Sequence, residues 1–552
     1  MSCGARERGR VNTRESGARI HFGARCAVWS AVFFFLVQPK ALGAEHAATS
    51  ELCSSRPPNI VLFLVDDLGQ QDVSVSMLKT PSALNARFRT PNLEKLAARG
   101  VRFSDAYAAA PVCTPSRTAI LTGQSPARTH ITYWTLEKDT DQSSRHPRLD
   151  PPKWAVNGLA PAATHLAELL RSAGYRTIHA GKAHFGARGT PGADPCNLGF
   201  DVNIAGHAAG APGSFLGTHW FRDAARKRAE RGLPVDPASA PASVWDVPGL
   251  SAWHGQTVWL DDVIAREACD AITASVRDAR PFYLSFAPYG VHTPIMADDR
   301  FARVYPDLDP IERAYASMVA AVDDALGAIV ARCTQLGVAE NTIIVFTSDN
   351  GGLSAHARGT APDGTQAHRH NAPLRSGKGS AYEGGTRVPL VIAGPRIPHR
   401  AEPLSMPVVG TDLYPTILAW AGVAPPSGHV LDGIDLAPCW SADGSIAERT
   451  ILFHQPHAWG PQGPGIEPFT AIRRGNWKLV WFHDRIDRAL RIELFHLATD
   501  LGETCNLART EPARVAELVQ ILRTELAARG GQLSLERSSG KLVVIPPSRP
   551  TD

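Results

Sequence analysis

The sequence lacks several features that would assign it to other classes of protein. Its 552 residues contain only one long apolar run, which excludes a polytopic membrane protein. No C-x-x-C pair occurs among its nine cysteines, which argues against a zinc ribbon or a thioredoxin-type site. The hydrophobic content of 44% and charged content of 20% exclude a mostly disordered or collagen-like chain. The length predicts two to four domains, or one large domain with an appendage.

Most of the chain also lacks an excess of basic charge. The formal net charge is +4, but residues 1–44 contain seven basic and two acidic side chains. Residues 45–552 therefore carry a net charge of −1. A near-neutral body gives no indication of nucleic-acid binding, so we expect no nucleic-acid partner.

The first 44 residues have the pattern of an export signal. Arginines precede the 12-residue apolar run 26–37, and small residues follow up to Ala44. A membrane span needs about 20 residues, whereas the apolar part of a secretory signal needs about 7–15. We predict a cleaved signal peptide over 1–44 with a long basic segment, a secreted or periplasmic protein, and no stable membrane span. An uncleaved anchor or a buried core segment is the alternative.

Short apolar runs alternate with amphipathic stretches through the first 450 residues. Such alternation predicts an α/β fold, with a mostly parallel sheet covered by helices on both faces. One helix is predicted to begin at Thr90-Pro91 and to end at Gly100, and two more are predicted over 163–173 and 311–336. The predicted strands are 59–65, 175–180, 281–287, 341–347 and 388–393.

The pattern of apolar and polar residues changes near residue 450. We predict an α/β catalytic domain over 45–450, a small antiparallel-sheet α+β subdomain over 451–530, and a polar tail over 531–552. The Gly-, Ala-, Pro- and His-rich segments 186–256 and 353–372 are predicted as long surface loops that shape a substrate site.

Two predicted strands end in acidic residues. Asp66 and Asp67 follow the first strand, and Asp349 and Asn350 follow a later one. Functional residues of such sheets gather at the carboxyl ends of the strands, and three carboxylates packed together need a compensating cation. Oxygen ligands favour Ca²⁺ or Mg²⁺ over zinc. The pattern predicts one such cation, although either pair alone also fits an ordinary turn.

Residues 113–123, CTPSRTAILTG, form a further distinctive segment. Pro115 suits the first turn of a helix that ends at Gly123, which places Cys113 at the helix N-terminus. A free-thiol nucleophile is one interpretation, because the helix dipole favours anions there. A buried structural cysteine is the other. Arg117 comes too soon for the Cys-x5-Arg loop of cysteine phosphatases.

This segment resembles the signature of the formylglycine-dependent (type I) sulfatases of the alkaline phosphatase superfamily, most of all the arylsulfatase A-like branch. In that family a modifying enzyme oxidises the cysteine of C-x-P-S-R to formylglycine. Further motifs resemble the family's in the family's order, over about residues 57–530. They are the acidic-pair segment 59–72, 181–186 (GKAHFG), 292–294 (HTP), 347–352 (TSDNGG), 373–389 (PLRSGKGSAYEGGTRVP) and 493–507 (ELFHLATDLGETCNL).

The resemblance implies an alkaline-phosphatase-like fold and a sulfuric ester hydrolase. Hydrated formylglycine at position 113 would attack sulfur, and re-formation of the aldehyde would expel sulfate. One Ca²⁺, with Mg²⁺ as the alternative, would offset the charge of the substrate. Its ligands would be Asp66, Asp67, the modified Cys113, Asp349 and Asn350.

The resemblance also implies roles for the basic residues of the motifs. Arg117 would anchor the hydrated aldehyde, and Lys182 and Lys378 would contact sulfate oxygens. His184 would bond the diol and help to remove its proton. His292, with Lys378, would protonate or stabilise the leaving oxygen. The implied partners are a sulfated small molecule or glycan and, during maturation, the formylglycine-generating enzyme.

Some features are left open by the sequence. A phosphatase or phosphonate hydrolase of the same superfamily, and a non-catalytic carbohydrate-binding relative, are the alternative functions. The family pattern is replaced at 69–72 (GQQD) and at Ala183, and we expect both changes to affect substrate packing. His356, His368 and His370 either line the pocket or lie in a polar surface loop. Three arginines would suit a polyanionic glycan, namely Arg358, Arg369 and Arg375.

Overall fold

A seven-stranded, mostly parallel sheet lies at the centre of the protein. The computed structural model describes residues 56–236, 241–358, 369–440, 446–484 and 491–545. The predicted signal peptide over 1–44 lies outside the described residues. The strands are β1 (Asn59–Val65), β2 (Gly100–Arg102), β3 (Ala106–Tyr107), β4 (Leu149–Asp150), β5 (Arg176–Gly181), β6 (Val202–Ile204), β7 (Phe282–Ala287), β8 (Thr342–Ser348), β9 (Leu390–Ala393), β10 (Val408–Val409), β11 (Thr450–Gln455), β12 (Phe469–Arg474), β13 (Trp477–Phe482), β14 (Ile492–His496) and β15 (Leu535–Glu536).

The order of strands in the central sheet is β2-β9-β8-β1-β7-β5-β6. The five strands β8, β1, β7, β5 and β6 are parallel to one another. Strand β9 is antiparallel to β8, and β2 is antiparallel to β9. The predicted mostly parallel α/β sheet is confirmed.

Strand β1 is apolar throughout because both of its faces are buried. Val61, Phe63 and Val65 belong to one hydrophobic core, on one face of the sheet. Ile60 and Leu62 point to the opposite core. A continuous apolar run, rather than an alternating one, is therefore the correct signal for this central strand.

Helices cover both faces of the sheet. The helix Pro310–Gln335 is long and apolar enough to cross a membrane by length and composition alone, but 72% of its most apolar stretch is buried within the protein. The helices are α1 (Pro91–Ala97), α2 (Cys113–Thr122), α3 (Pro126–Thr129), α4 (Leu166–Ser172), α5 (Asp223–Glu230), α6 (Leu260–Arg277), α7 (Asp299–Ala302), α8 (Pro310–Gln335), α9 (Ala355–Arg358), α10 (Glu383–Thr386), α11 (Leu413–Ala421) and α12 (Pro512–Ala528).

A four-stranded antiparallel sheet, in the order β11-β12-β13-β14, follows the central sheet in the chain. Helix α12 packs on one of its faces through Leu518 and Leu522. The other face packs against Tyr107 and Tyr382 of the preceding α/β part. This is the predicted smaller α+β subdomain, while its boundaries at 451 and 530 stay predictions. Within the segment predicted as a tail, β15 pairs with β4.

The prediction that residues 186–256 are entirely loop is wrong in part. This segment contains β6, which is the last strand of the central sheet, and the eight-residue helix α5. Strand β6 has only three residues, all half-buried, so the sequence carried too short a hydrophobic signal to reveal it.

Candidate active site

Two neighbouring parallel strands bring the predicted acidic residues together. In the register of β1 with β8, Val65 lies opposite Ser348, so the residues that follow leave the sheet at the same edge. The backbone N–H of Asp67 donates to Oδ1 of Asp349 at 3.2 Å. All four predicted ligands from these strands are fully buried, namely Asp66, Asp67, Asp349 and Asn350.

Helix α2 places Cys113 beside these carboxylates. The helix begins at Cys113 itself, so Pro115 lies within its first turn, and Gly123 ends it in the left-handed conformation with φ of 68°. The Sγ atom of Cys113 is 3.6 Å from Oδ1 of Asp66 and 4.0 Å from Oδ1 of Asp67. Cys113 is therefore the helix N-terminal residue that the sequence predicted.

Arg117, one turn further along α2, ties the helix to the strand ends. Its Nε donates to Oδ2 of Asp349 at 2.6 Å, and its Nη1 donates to the backbone oxygen of Lys182 at 2.6 Å. Its Nη2 is 3.8 Å from Oδ1 of Asp66 and forms no hydrogen bond with any residue that the structure describes. The guanidinium thus fixes the position of Cys113 relative to the acidic cluster.

Two buried lysines face the carboxylates from other elements. Nζ of Lys182, which follows β5, is 2.6 Å from Oδ2 of Asp66. Nζ of Lys378 is 2.8 Å from Oδ2 of Asp67. Both ammonium groups therefore lie at the same edge of the sheet as Cys113, where an anionic substrate would approach.

Two histidines complete the predicted set. His184 contacts the backbone oxygen of Thr135 through Nε2 at 2.8 Å, while its buried Nδ1 has no hydrogen-bond partner in the part of the chain that the structure describes. Nε2 of His292 is 3.5 Å from Oδ2 of Asp67, and its Nδ1 contacts the backbone oxygen of Thr293 at 2.9 Å. The structure thus brings all the predicted site residues to one edge of the sheet, while their individual roles stay predictions.

Burial and the opposing charges determine the protonation of the site. Burial raises the pKa of Asp66 well above its usual range, although Lys182 opposes the shift. Burial also acts on Asp67, but Lys378 and His292 outweigh it and lower the pKa of this carboxyl. Burial raises the pKa of the Cys113 thiol to about 12, so the thiol is protonated at neutral pH.

The donor set fits a hard divalent cation. Ligand atoms of Asp66, Asp67, Asp349 and Cys113 lie within 4.8 Å of one another. The buried Oδ1 of Asn350 has no hydrogen-bond partner among the described residues, and a buried amide oxygen is costly to leave unpaired. Carboxylate and amide oxygens are the ligands that Ca²⁺ and Mg²⁺ prefer.

A cavity of about 430 Å³ lies beside the acidic cluster. Cys113, His184, His292 and Lys378 line it. Sequence reasoning missed the rest of the lining, although the presence of tryptophans in otherwise polar loops was an available signal. These residues include Trp134, Trp245 and Trp459, and Asp223 and Arg226 of α5.

The segments flanking the cavity correct two expectations. The residues that replace the family pattern at 69–72, and Ala183, are buried and do not line the cavity, so the expected effect on substrate packing is wrong. Arg358 is 3% exposed and pairs with Asp72 and Glu312, so the suggestion that it binds a glycan is wrong.

The loop histidines have different positions. The ring of His356 packs edge-on against Trp459 with centroids 5.0 Å apart, so it supports a wall of the cavity. Nε2 of His370 is 3.8 Å from Oε1 of Glu312, away from the cavity lining. His368 lies outside the described residues.

The fold and the residues at this edge of the sheet define an ester hydrolase of alkaline-phosphatase-like fold. A family model described as Sulfatase matches residues 58–423 of the chain. The chain belongs to the sulfatase family and is a sulfuric ester hydrolase, which favours sulfate esters over the phosphate and phosphonate alternatives.

Relatives and solved structures agree with this assignment. Arylsulfatase A from Homo sapiens is 30% identical over 525 residues, which cover 87% of this chain and 90% of that protein. N-acetylgalactosamine-6-sulfatase from Homo sapiens is 30% identical over 484 residues, 81% of either chain. Steryl-sulfatase from Mus musculus is 30% identical over 475 residues, which cover 77% of this chain and 70% of that protein.

Among solved structures, that of Ps i-CgsB is similar with a TM-score of 0.68 and 27% sequence identity. The similarity covers 86% of this chain and 94% of that chain. The same protein in complex with k-i-k-neocarrahexaose gives the same values.

Proposed function

We propose that the chain hydrolyses sulfate monoesters of a carbohydrate through formylglycine made from Cys113, with one divalent cation bound by the acidic cluster. The observation that carries the proposal is the position of Cys113. It lies at the N-terminus of α2 and lines the cavity, with its Sγ atom 3.6 Å from Oδ1 of Asp66. Lys378, His184 and His292 line the same cavity.

Conversion of Cys113 supplies a nucleophile that the buried thiol does not provide. A hydroxyl of the hydrated aldehyde bonds to sulfur as the alcohol leaves, and loss of the proton from the second hydroxyl re-forms the aldehyde and releases sulfate. The match of 113–117 to the family's C-x-P-S-R signature supports this step. Arg117, held by Asp349 and the Lys182 backbone, keeps the modified side chain in place.

The basic residues of the chain supply the charge and the protons. Lys182 and Lys378 each lie within 2.8 Å of a carboxylate and can transfer one hydrogen bond to a sulfate oxygen. The unpartnered Nδ1 of His184 is available to accept a proton from the diol. His292 lies on the cavity surface beside Lys378 and is placed to protonate the leaving oxygen.

The cation is proposed to be Ca²⁺, with Mg²⁺ as the alternative. Asp66, Asp67, Asp349, Asn350 and the modified residue 113 would hold it. When bound, it offsets the negative charge of sulfate and of the clustered carboxylates. The unpartnered Oδ1 of Asn350 supports this ligand set over a purely salt-bridged cluster.

A sulfated carbohydrate fits the walls of the cavity. The flat apolar faces of Trp134, Trp245 and Trp459 suit packing against a sugar ring. Ps i-CgsB, a structural relative, is described in complex with a neocarrahexaose, and another relative is an N-acetylgalactosamine-6-sulfatase. We further propose export through the predicted signal peptide and maturation by a formylglycine-generating enzyme.

The mass of the tryptic peptide 103–117, from protein secreted by its native host, tests the central step. The aldehyde or its hydrate at position 113 is the expected result, and an unmodified thiol in active enzyme would contradict it. Removal of divalent cations with a chelator should abolish hydrolysis of 4-nitrophenyl sulfate. Restoration by Ca²⁺ or by Mg²⁺ then identifies the ion, and full activity without either would overturn the metal proposal.

The choice of ester is tested on one phenol. The rates of hydrolysis of 4-nitrophenyl sulfate and 4-nitrophenyl phosphate should differ strongly in favour of sulfate. A strong preference for phosphate would contradict the proposed reaction.

A further inference from the structure

Asp261 is a buried carboxyl that does not line the active-site cavity. It lies in the first turn of α6, where the helix dipole favours a negative charge, and it is 1% exposed. It forms no ion pair with any residue that the structure describes, because Arg300 pairs with the neighbouring Asp262 and with Asp298 instead. Burial without a cation raises the pKa of Asp261 to about 7. Its partners are backbone N–H groups.

Two consecutive N–H groups donate to this carboxyl. Oδ1 of Asp261 accepts from the N–H of Tyr289 at 2.8 Å, and Oδ2 accepts from the N–H of Gly290 at 3.1 Å. Both residues are buried, where an N–H group without an acceptor is costly. A Cβ atom on Gly290 would lie 2.8 Å from Oδ2 of Asp261 and 2.8 Å from Cγ2 of Val322 in α8. Asp261 therefore holds residues 289–290 against α6, in a space with little room for a side chain at position 290.

The turn that Asp261 holds leads directly into the active site. The N–H of His292 donates to the backbone oxygen of Tyr289 at 3.1 Å, which closes the turn. The N–H of Val291 donates to the backbone oxygen of Asp66 at 2.8 Å, which ties the turn to the acidic cluster. The His292 side chain lines the cavity. One turn of backbone therefore connects the Asp261 carboxyl with the His292 ring.

We propose that Asp261 is a positioning residue for His292 in sulfate ester hydrolysis. The two hydrogen bonds that its carboxyl accepts fix the turn, and the turn fixes the direction in which the His292 ring enters the cavity. The inference rests on the proposed function for the chemistry of His292, which is protonation of the leaving oxygen. It deepens that function by naming the group that holds this ring, since small displacements of such a ring weaken catalysis.

Asp261→Asn tests the inference with little change of size. The amide oxygen can accept from one of the two N–H groups, but the amide nitrogen is a donor and faces the other, so the turn must shift. Asp323→Asn is the matched control. Asp323 on α8 is also a buried carboxyl outside the cavity lining, and it accepts from the consecutive N–H groups of Asn92 and Leu93 at 2.9 and 2.8 Å. The two variants therefore lose the same kind of contact, one on the His292 turn and one on α1.

Two substrates separate a displaced proton donor from a general loss of structure. Phenol is a poorer leaving group than 4-nitrophenol and depends more on protonation of its oxygen. We expect Asp261→Asn to lower kcat by about tenfold for 4-nitrophenyl sulfate and about 100-fold for phenyl sulfate, with little change in KM. Asp323→Asn should lower the melting temperature as Asp261→Asn does and leave both kcat values near wild type. Wild-type kcat values in Asp261→Asn, or equal losses in the two variants, would overturn the inference.

A double variant shows whether Asp261 acts through His292. In a His292→Ala background, Asp261→Asn should lower kcat for 4-nitrophenyl sulfate much less than in the wild type, because the ring that it positions is already absent. The same fold loss in both backgrounds would refute the inference. If Asp261→Asn does not fold, Gly290→Ala displaces the same turn and should give the same dependence on His292.

The environment of the His292 ring can also be measured without activity. In protein labelled with ¹³C at histidine Cε1, the signal that His292→Ala lacks belongs to this ring. Asp261→Asn should shift that signal and Asp323→Asn should not, and an unshifted signal in Asp261→Asn would overturn the inference. A shifted signal together with wild-type kcat in His292→Ala would support the positioning and contradict only the chemistry proposed for His292.

Discussion

Two buried clusters in this protein contain the same number of acidic and basic groups, three of each, but differ in their consequences. The active-site cluster contains Asp66, Asp67 and Asp349 with Arg117, Lys182 and Lys378. The interface cluster lies between the α/β part and the antiparallel sheet. It contains Asp105, Glu383 and Glu503 with Arg387, Arg473 and Lys478.

Access to the cavity distinguishes the two clusters. The active-site cluster opens, through Cys113 and Lys378, onto a cavity of about 430 Å³. No member of the interface cluster lines that cavity. In the interface cluster Lys478 is held between two carboxylates, with Nζ 2.8 Å from Glu383 and 2.9 Å from Glu503. Buried opposite charges therefore indicate a reaction site only where a ligand can reach them.

The largest expected effect is on the active-site side of this comparison. Replacing Cys113 by Ala removes the proposed nucleophile, so kcat for 4-nitrophenyl sulfate should fall by about 10⁴-fold or more. The charge pairs around it are retained, so the melting temperature should change little. Steady-state kinetics and thermal unfolding of the same preparation check both expectations. A Cys113→Ala variant with wild-type kcat would contradict the role of this residue.

A substitution in the interface cluster should instead affect stability and leave kcat nearly unchanged. Lys478→Ala leaves Glu503 buried without its cation and leaves Glu383 paired with Arg387 alone, so it should lower the free energy of unfolding by about 3–5 kcal/mol. The kcat of protein that remains folded should stay within a few-fold of wild type. Arg171→Ala, which breaks the exposed pair with Glu168, is the matched control and should lower it by no more than about 1 kcal/mol. Denaturant unfolding measures the free energy of unfolding of both variants. Equal losses in the two would show that the buried pairs of Lys478 contribute no more to stability than the exposed pair of Arg171.

The antiparallel sheet contains a chain of hydrogen bonds between buried side chains. The Gln532 backbone oxygen only accepts, so Nε2 of His454 donates to it at 2.8 Å. Nδ1 of His454 then accepts from the Thr470 hydroxyl at 2.9 Å, and Thr470 accepts from Nε2 of His483 at 2.9 Å. Both histidines are therefore held neutral with fixed tautomers.

Acid should break this hydrogen-bond chain. Burial lowers the pKa of His454 to about 4, against about 6.5 in the unfolded chain. Between these two pKa values the folded state binds fewer protons than the unfolded chain. The contribution of neutral His454 to stability is therefore fully present above pH 6.5. It should fall by about 1.4 kcal/mol per pH unit for this histidine as the pH drops towards 4.

The measurement is the free energy of unfolding as a function of pH. His454→Gln should flatten the slope below pH 6.5, whereas His399→Gln, at an exposed position, should leave it as in wild type. An unchanged slope in the His454→Gln variant would show that this residue does not control acid stability.

The two clusters also show what sequence reasoning can reach. The acidic residues of the active-site cluster directly follow two apolar strands, so local sequence predicts both their burial and their meeting point. Lys478 and Glu383 carry no such signal, because they are 95 residues apart and only the packing of the antiparallel sheet brings them together. Trp245 and Arg226 likewise carry no local signal. They belong to the segment 186–256, predicted as loop, and only the folded chain brings them to the cavity.

The smallest expected effect concerns the orientation of the His184 ring in the active site. Gly210 lines the cavity beside His184, and a Cβ atom on Gly210 would lie 2.4 Å from Cε1 and 2.5 Å from Nδ1 of that ring. The ring must therefore move in a Gly210→Ala variant, although its Nε2 is held by Thr135. We expect kcat for 4-nitrophenyl sulfate to fall by about tenfold, since small displacements of a catalytic group weaken catalysis.

Gly410→Ala is the matched control for this steric effect. A Cβ there would meet Ile120 at 3.5 Å, an ordinary contact, so kcat should stay near wild type. A displaced proton acceptor lowers kcat, whereas a methyl group that merely narrows the cavity raises KM. A change in KM alone would place Gly210 among the residues that shape the cavity and would give His184 no part in the chemistry. A fall in kcat without a change in KM would confirm that catalysis at the active-site cluster depends on the orientation of the His184 ring.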